Sequence, residues 1–214
     1  MRFKDRRDAG RRLASALADY DRPDALVLAL PRGGVPVGRE IARAMRLPLD
    51  LMLVRKLVVP GEDDLAMGAI AHSDVIVLND SVIDAHQVPD RVIETVTARA
   101  WRELARRNTL YRGGRPAPDL NGRHVILVDD GVATGADMRA AVESVDQQGA
   151  AHIVVAVPVA SHSAILLLRE VADEVITLSE PQPFLDVSDH YDDFTPVPDQ
   201  DVREVVEETM LASH

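Results

Sequence analysis

The 214-residue chain contains no cysteine, which excludes disulfides, thiolate metal ligands and a cysteine nucleophile. Its seven histidines show no spacing that would build a transition-metal site. No apolar run approaches the roughly 20 residues of a membrane-spanning helix. No charged-then-apolar leader opens the sequence, so a cytoplasmic protein without membrane contact is expected. Aromatic residues are few, with three Phe, three Tyr and one Trp. Lysine is scarcer still: of 24 basic residues only Lys4 and Lys56 are lysines, and Lys56 stands out for that reason. The formal net charge of −11 lacks the basic footprint of a general nucleic-acid binder, yet allows a local basic pocket for an anionic substrate. The remaining composition, 46% hydrophobic and 28% charged, suits one globular domain with a substantial core.

Short apolar runs alternate with helical periodicity. Residues 25–30, 49–54, 125–128, 153–157 and 174–178 read as strands. Helices are expected from Asp5 to Ala18, after Pro36 through Met45, over about 89–111, around 138–149, over 163–171 and over 201–210. Residues 66–71 and 75–78 read as a strand pair turning at His72, Ser73 and Asp74. Six arginines between 99 and 115 (99, 102, 106, 107, 112 and 115) read as a solvated helix face with Glu103 paired at helical spacing; the alternative is that some cap a site or meet an anionic partner. Strand–helix alternation predicts an α/β fold, with a mostly parallel sheet covered on both faces. Ligands of such sheets sit beyond the carboxyl ends of the strands, where the winding reverses.

Residues 125–137 carry the densest chemical signal. An apolar strand ends in Asp129 and Asp130, and a small-residue turn then opens a helix with Met138, Ala141, Val142 and Val145 on one face. Two carboxylates at the end of a strand can accept hydrogen bonds from a sugar diol, and free amides at a helix start suit a phosphate. A second loop, Pro31-Arg32-Gly33-Gly34-Val35-Pro36, places two glycines and an arginine before another helix. Glycine there exposes backbone amides, and a guanidinium fork matches a phosphate. Taken alone, that loop reads equally as a tight strand-to-helix turn. Arg55 and Lys56 follow the second strand, and residues 60–64 read as an exposed loop without apolar anchors.

The strand–Asp–Asp–turn–Thr–Gly–helix pattern resembles the signature of type I phosphoribosyltransferases, which use phosphoribosyl pyrophosphate (PRPP). The resemblance, over about residues 25–195, implies a three-layer α/β/α fold with a mostly parallel central sheet and a small C-terminal hood. It divides the chain into a core over 1–180, with an inserted hairpin and long helix at about 57–118, and a hood and tail over 181–214. It implies ribose recognition by Asp129 and Asp130, and 5-phosphate binding by Gly131, Val132, Ala133, Thr134, Gly135, Ala136 and Asp137. Arg32, Gly33 and Gly34 would form the pyrophosphate loop. Arg55 and Lys56 resemble the basic pair of adenine phosphoribosyltransferases, where a mobile loop follows. Phe184 and Tyr191 fall where the hood covers a nucleobase, and plain packing of the tail is the equal alternative. Mg2+ is implied as cofactor, bound to the diphosphate and ribose, with Asp129 and Asp130 as ligands through water at most. The expected partners are PRPP and a nucleobase-like acceptor, in a homodimer, without nucleic acid.

The expected reaction transfers ribose 5-phosphate from PRPP to a nitrogenous base and releases pyrophosphate. Two residues depart from the family pattern. Asp137 stands where Thr or Ser is usual, and a carboxylate repels phosphate unless it caps its own helix, the reading favoured here. Ala133 replaces the acid that 6-oxopurine enzymes place there, which disfavours hypoxanthine and guanine. A non-catalytic PRPP or nucleotide sensor on the same fold is the main alternative. A hydrolase or phosphorolytic enzyme of sugar phosphates is a third and lacks a distinctive motif.

Overall fold

The computed structural model describes residues 1–18, 20, 22, 24–71 and 75–211, with Asp63, Asp64, Met210 and Leu211 described for their backbone only. In chain order, α1 (Arg6–Ala16) precedes β1 (Leu26–Ala29), α2 (Gly34–Met45), β2 (Leu49–Leu51), β3 (Val54–Val59), β4 (Glu62–Ala71) and β5 (Val75–Leu78). Then come α3 (Asp80–Ala85), α4 (Asp90–Arg112), β6 (His124–Val128) and α5 (Ala136–Gln147). The chain finishes with β7 (His152–Val159), α6 (His162–Arg169), β8 (Glu174–Ser179), a 3-10 turn at Val187–His190 and α7 (Asp199–Leu211).

Five strands form a parallel sheet in the order β2-β1-β6-β7-β8, so the winding reverses between β1 and β6. Those two strands pair directly, from Leu26 opposite Val125 to Ala29 opposite Val128. Side chains alternate along a strand, and here both alternating sets are apolar. Val27, Ala29, Ile126 and Val128 pack with Leu13 of α1, Ile41 of α2 and Val205 of α7. Leu26, Leu28, Val125 and Leu127 pack on the opposite face with Met138 and Val142 of α5 and with Ile165 and Leu168 of α6. The sheet is thus covered on both faces, as a three-layer α/β/α protein.

The apolar run 49–54 is not one strand. β2 ends at Leu51, and Val54 begins β3 in a separate antiparallel sheet of order β3-β4-β5. The unbroken apolar stretch 51–54 hides this change of sheet, because Met52 and Leu53 are buried on the way. Arg55 and Lys56 therefore lie on a strand rather than in a loop. Residues 60–64 are likewise not an open loop: Pro60 and Gly61 turn the chain, Gly61 at φ 89°, and β4 starts at Glu62. The β4–β5 pairing matches expectation, and its turn at His72, Ser73 and Asp74 lies outside the described residues.

Arg112 corrects the solvated-face reading of α4. Its side chain is 1% exposed, and Nε bonds Asp50 Oδ1 at 2.7 Å. It also donates to the Leu51 carbonyl and to Asn108 Oδ1. α4 is thereby fastened to β2. Glu103 with Arg106 and Arg107 fits the expected surface pairing at 2.9–3.2 Å, and the two arginines hold its carboxyl down to about 2.

Candidate functional site

The carboxyl ends of β1 and β6 carry the two loops singled out in the sequence. The first passes through Leu30, whose amide donates to the Val128 carbonyl at 2.9 Å, and opens α2. Gly33 and Gly34 are required here by space. A Cβ on Gly33 would lie 2.1 Å from Asp130 Oδ2, and one on Gly34 would lie 2.5 Å from the Val128 carbonyl oxygen. The loop backbone therefore rests directly on the acid pair.

The second loop is anchored on one side and open on the other. The Val132 amide donates to Val159 at 2.9 Å, and its carbonyl accepts from the Ser161 amide at 3.0 Å. Ser161 Oγ donates to the Ala133 carbonyl at 2.6 Å and accepts from Ala164 N–H, capping α6. Val132 itself is buried and its amide is engaged, so it is not the open phosphate contact expected of it. Ala133 and Thr134 are exposed, and Gly135, at φ 82°, takes a left-handed conformation that glycine tolerates best.

Neither helix that opens on these loops has a side-chain cap: Gly33 precedes α2 and Gly135 precedes α5. Elsewhere Asp5, Asn79 and Ser161 cap α1, α3 and α6, and α4 starts on Pro89 without a side-chain cap. At α5 the nearest substitute is a long 3.5 Å contact from Ala136 N–H to Thr134 Oγ1. At α2 the Gly34 and Val35 amides already donate to the Leu30 and Arg32 carbonyls and Pro36 has no N–H, so the start of α5 is the one of the two that offers orphan donors at the positive end of its dipole, suited to a phosphate.

A cavity of about 350 Å3 lies beside these loops, lined by Leu30, Pro31, Arg55, Lys56, Arg107, Asp129 and Asp137 among others. It gathers residues from β3, α4 and the ends of β1 and β6. Among the described residues Asp129 makes no ion pair, and its Oδ1 accepts from the Asp130 amide at 2.8 Å. Burial, reinforced by the neighbouring Asp130 charge, raises its pKa well above the usual carboxylate range. Burial also raises Asp130, against the opposing pull of Arg6.

Asp137 does not cap its own helix. It sits in the first turn of α5, and its Oδ1 lies 3.5 Å from Lys56 Nζ. A carboxylate at that position also complements the helix dipole. The expected cap is therefore replaced by an ion pair to β3. Arg32 is half exposed, with Nη1 3.8 Å from Asp199 Oδ1. That carboxylate also accepts from the Tyr111 hydroxyl, whose pKa is pushed up to about 12 mainly by burial.

Tyr191 is not open to a base. It is 2% exposed, packed against Phe3 and Phe194 with ring centroids 5.4 and 5.1 Å away, and its hydroxyl donates to the Asp130 carbonyl. Phe184 is partly buried and stacks near His190 at 5.6 Å. The fold brings in two further residues, of which sequence reading passed over the first. Arg6 bonds Asp130 Oδ2 at 2.7 Å across 124 residues of sequence, with no local signal to mark it. Arg107, from the arginine-rich helix, lines the cavity, as the alternative reading of that run allowed.

Parallel strands reversing between β1 and β6, a strand-end acid pair and two glycine-opened helices define the phosphoribosyltransferase class. The phosphoribosyl transferase domain profile matches residues 3–191, and the chain belongs to that family. It is 42% identical over 200 residues to a provisionally named phosphoribosyl transferase of Mycobacterium tuberculosis H37Rv. The match covers 94% of this chain but 45% of that protein, so the chain spans about half the length of the curated relatives it matches. The crystal structure of TT1426 from Thermus thermophilus is 45% identical, with a TM-score of 0.89 over 97% of this chain and 99% of that one. The AQ2163 protein from Aquifex aeolicus, 11% identical with a TM-score of 0.53 over 85% and 77% of the two chains, shares the fold. Among the described residues, no helix is long and apolar enough to cross a membrane.

Proposed function

We propose that the chain transfers ribose 5-phosphate from PRPP to a nitrogenous base, with release of pyrophosphate. The observation that carries this reading is the cavity where Asp129, Arg55 and Lys56 meet at the sheet's reversal, beside the uncapped start of α5. The open amides around Ala133–Ala136 suit the 5-phosphate. The Asp129 carboxylate is free to accept from a ribose hydroxyl. Arg55 and Lys56 supply positive charge for the departing diphosphate, reinforced by Arg107.

In this reaction the bond from the anomeric carbon to the diphosphate oxygen breaks, and a bond to the base nitrogen forms. Positive charge grows on the ribose while negative charge grows on the leaving group. Groups already oriented toward both, in a site partly shielded from water, lower that barrier most. Mg2+ fits the donor set as an ion carried by the substrate. Asp129 offers a hard oxygen, and no group of three or more candidate ligands exists among the described residues to cage a metal. When bound, the ion would neutralise diphosphate charge, and Asp129 would hold it through water.

Incubation with PRPP, magnesium and a panel of bases, following pyrophosphate release, tests the reading. Release with one base and not the others supports it; no release with any base overturns it. One observation favours a sensor as the second reading, since Lys56 is paired with Asp137. PRPP binding without pyrophosphate release is its expected outcome.

A further inference from the structure

A second cavity lies at the opposite end of the sheet from the acid pair. Its volume is about 900 Å3, and Arg39, Arg43, Arg46, Arg123 and Glu208 line it. Residues 46–48 lead into β2 and Arg123 leads into β6. The cavity therefore sits at the amino ends of parallel strands, whereas the acid pair and its loops sit at the carboxyl ends.

Arginines at 39, 43 and 46 have the spacing that puts side chains on one face of a helix. Like charges so placed repel unless an anion answers them. Arg39 is answered, with Nη2 2.6 Å from Glu208 Oε2. Arg43 and Arg46 are exposed and have no ion pair or side-chain hydrogen bond among the described residues. Arg123 Nε reaches the Asp24 carbonyl at 3.4 Å, and the Asp24 carboxylate lies 3.9 Å from His124 Nε2. Four guanidinium groups thus share the cavity with one carboxylate, in a chain of net charge −11.

Arg46 adds a backbone signal. It ends α2 in the left-handed region, at φ 56° and ψ 38°. Glycine takes that conformation without a Cβ clash and is the usual residue there. An arginine at this point carries a strain that no contact of its side chain among the described residues offsets. Beside the guanidinium groups, Ala42, Leu47 and Pro48 supply an apolar wall.

We propose that this cavity binds a nucleoside polyphosphate, at a site separate from the catalytic one. Arg43, Arg46 and Arg123 take the phosphates, which planar guanidinium forks match. The apolar wall and a guanidinium face take the base, whose flat ring stacks on both. The volume falls within the roughly 300–1,000 Å3 of small-ligand sites and exceeds what a lone phosphate needs. A nucleic-acid backbone is a poorer occupant, because the cationic face does not continue as a track. Arg11 and Arg12 of α1 are paired with Glu40 and Asp8, and the adjoining α7 exposes Glu204, Glu207 and Glu208. A membrane surface fits no better, since none of the exposed large apolar residues Met1, Ile76, Leu78, Leu166 and Leu185 lines the cavity.

Calorimetry with ATP as the probe, and with tripolyphosphate and adenosine as its two halves, tests the proposal. The proteins compared are the wild type, Arg43→Ala/Arg46→Ala, Arg46→Gly and Lys56→Ala. ATP is expected to bind the wild type severalfold more tightly than either half, and to stay bound when pyrophosphate is present in excess. Arg43→Ala/Arg46→Ala should weaken ATP at least tenfold, while Lys56→Ala, in the catalytic cavity, should leave that binding unchanged. Arg46→Gly should weaken ATP severalfold without lowering the thermal midpoint, because glycine relieves the left-handed backbone; the loss is then not damage to the fold. Absence of ATP binding overturns the proposal. So does ATP binding that pyrophosphate displaces and Lys56→Ala weakens, with Arg43→Ala/Arg46→Ala indifferent. Tripolyphosphate bound as tightly as ATP, or duplex DNA bound more tightly, overturns the ligand class. None of these outcomes depends on whether the catalytic cavity uses PRPP.

Discussion

Arg112 and Asp129 are both charged groups withdrawn from water, and the protein treats them in opposite ways. Arg112 is fully partnered, by Asp50, the Leu51 carbonyl and Asn108. Asp129 accepts the Asp130 amide hydrogen bond and has no counter-charge among the described residues. The contrast repeats at the helix starts. α6 is closed by Ser161, whereas α5 opens on glycine with no capping side chain. Buried polar groups left without partners cost stability, so their concentration on one side of the sheet marks the place where a ligand completes the structure.

The largest expected effect is on the satisfied side of this contrast. Arg112→Ala strands Asp50 and should destabilise the fold by about 3–5 kcal/mol, read as a lower denaturant midpoint. PRPP affinity of the folded fraction should be unchanged, and a large loss there would show that the two regions are not separate.

Asp129→Asn should do the reverse. A carboxyl whose folded pKa lies above its unfolded value binds protons more tightly in the folded state. Stability therefore falls as pH rises from the unfolded value of about 3.9 toward the folded one, and the penalty is complete above both. Removing the charge should raise the thermal midpoint at neutral pH and leave it nearly unchanged at acid pH. The same change should cost PRPP affinity on the order of 1.5–3 kcal/mol. A variant that gains neither stability nor loses affinity would remove Asp129 from the incomplete side.

Ser161→Ala tests the border between the two regions, since one hydroxyl caps α6 and holds the Ala133 carbonyl. It should cost about 1 kcal/mol of stability and weaken binding of ribose 5-phosphate modestly. An effect on stability alone would place Ser161 wholly on the structural side.

The smallest stability effect is expected at Asp137→Asn. The Lys56 pair is partly exposed, and such pairs contribute about 0–1 kcal/mol. The thermal midpoint should scarcely move. Freed from Asp137, Lys56 should bind pyrophosphate several-fold more tightly, with the gain shrinking as salt rises. No change in affinity at low salt would mean that Lys56 does not meet the diphosphate.

The two loops of the site were legible because each is a local pattern. An apolar run ending in acids or glycines before a helix can be read from fewer than fifteen residues. The division of 49–54 between two sheets was not, because both pieces are apolar and buried and no turn residue separates them. Asp137 was misread, and Tyr191 was left open between a base and plain packing, for the same kind of reason. A tyrosine near a predicted ligand looks the same in sequence whether its ring meets a base or Phe3 and Phe194. A first-turn aspartate looks like a cap until the position of Lys56 is known.

The sequence by itself determined the α/β alternation, the carboxyl-end loops and the absence of thiol chemistry, since these follow from local spacing and composition; the family entered by resemblance of one motif. Only the tertiary structure decided which polar groups are satisfied. Partnering depends on residues far apart in the chain, such as Arg6 with Asp130 and Asp50 with Arg112, brought together when the sheet and its helices close over a common core. Hydrophobic periodicity is written along the chain, whereas the pairing of buried charges is a property of the packed molecule.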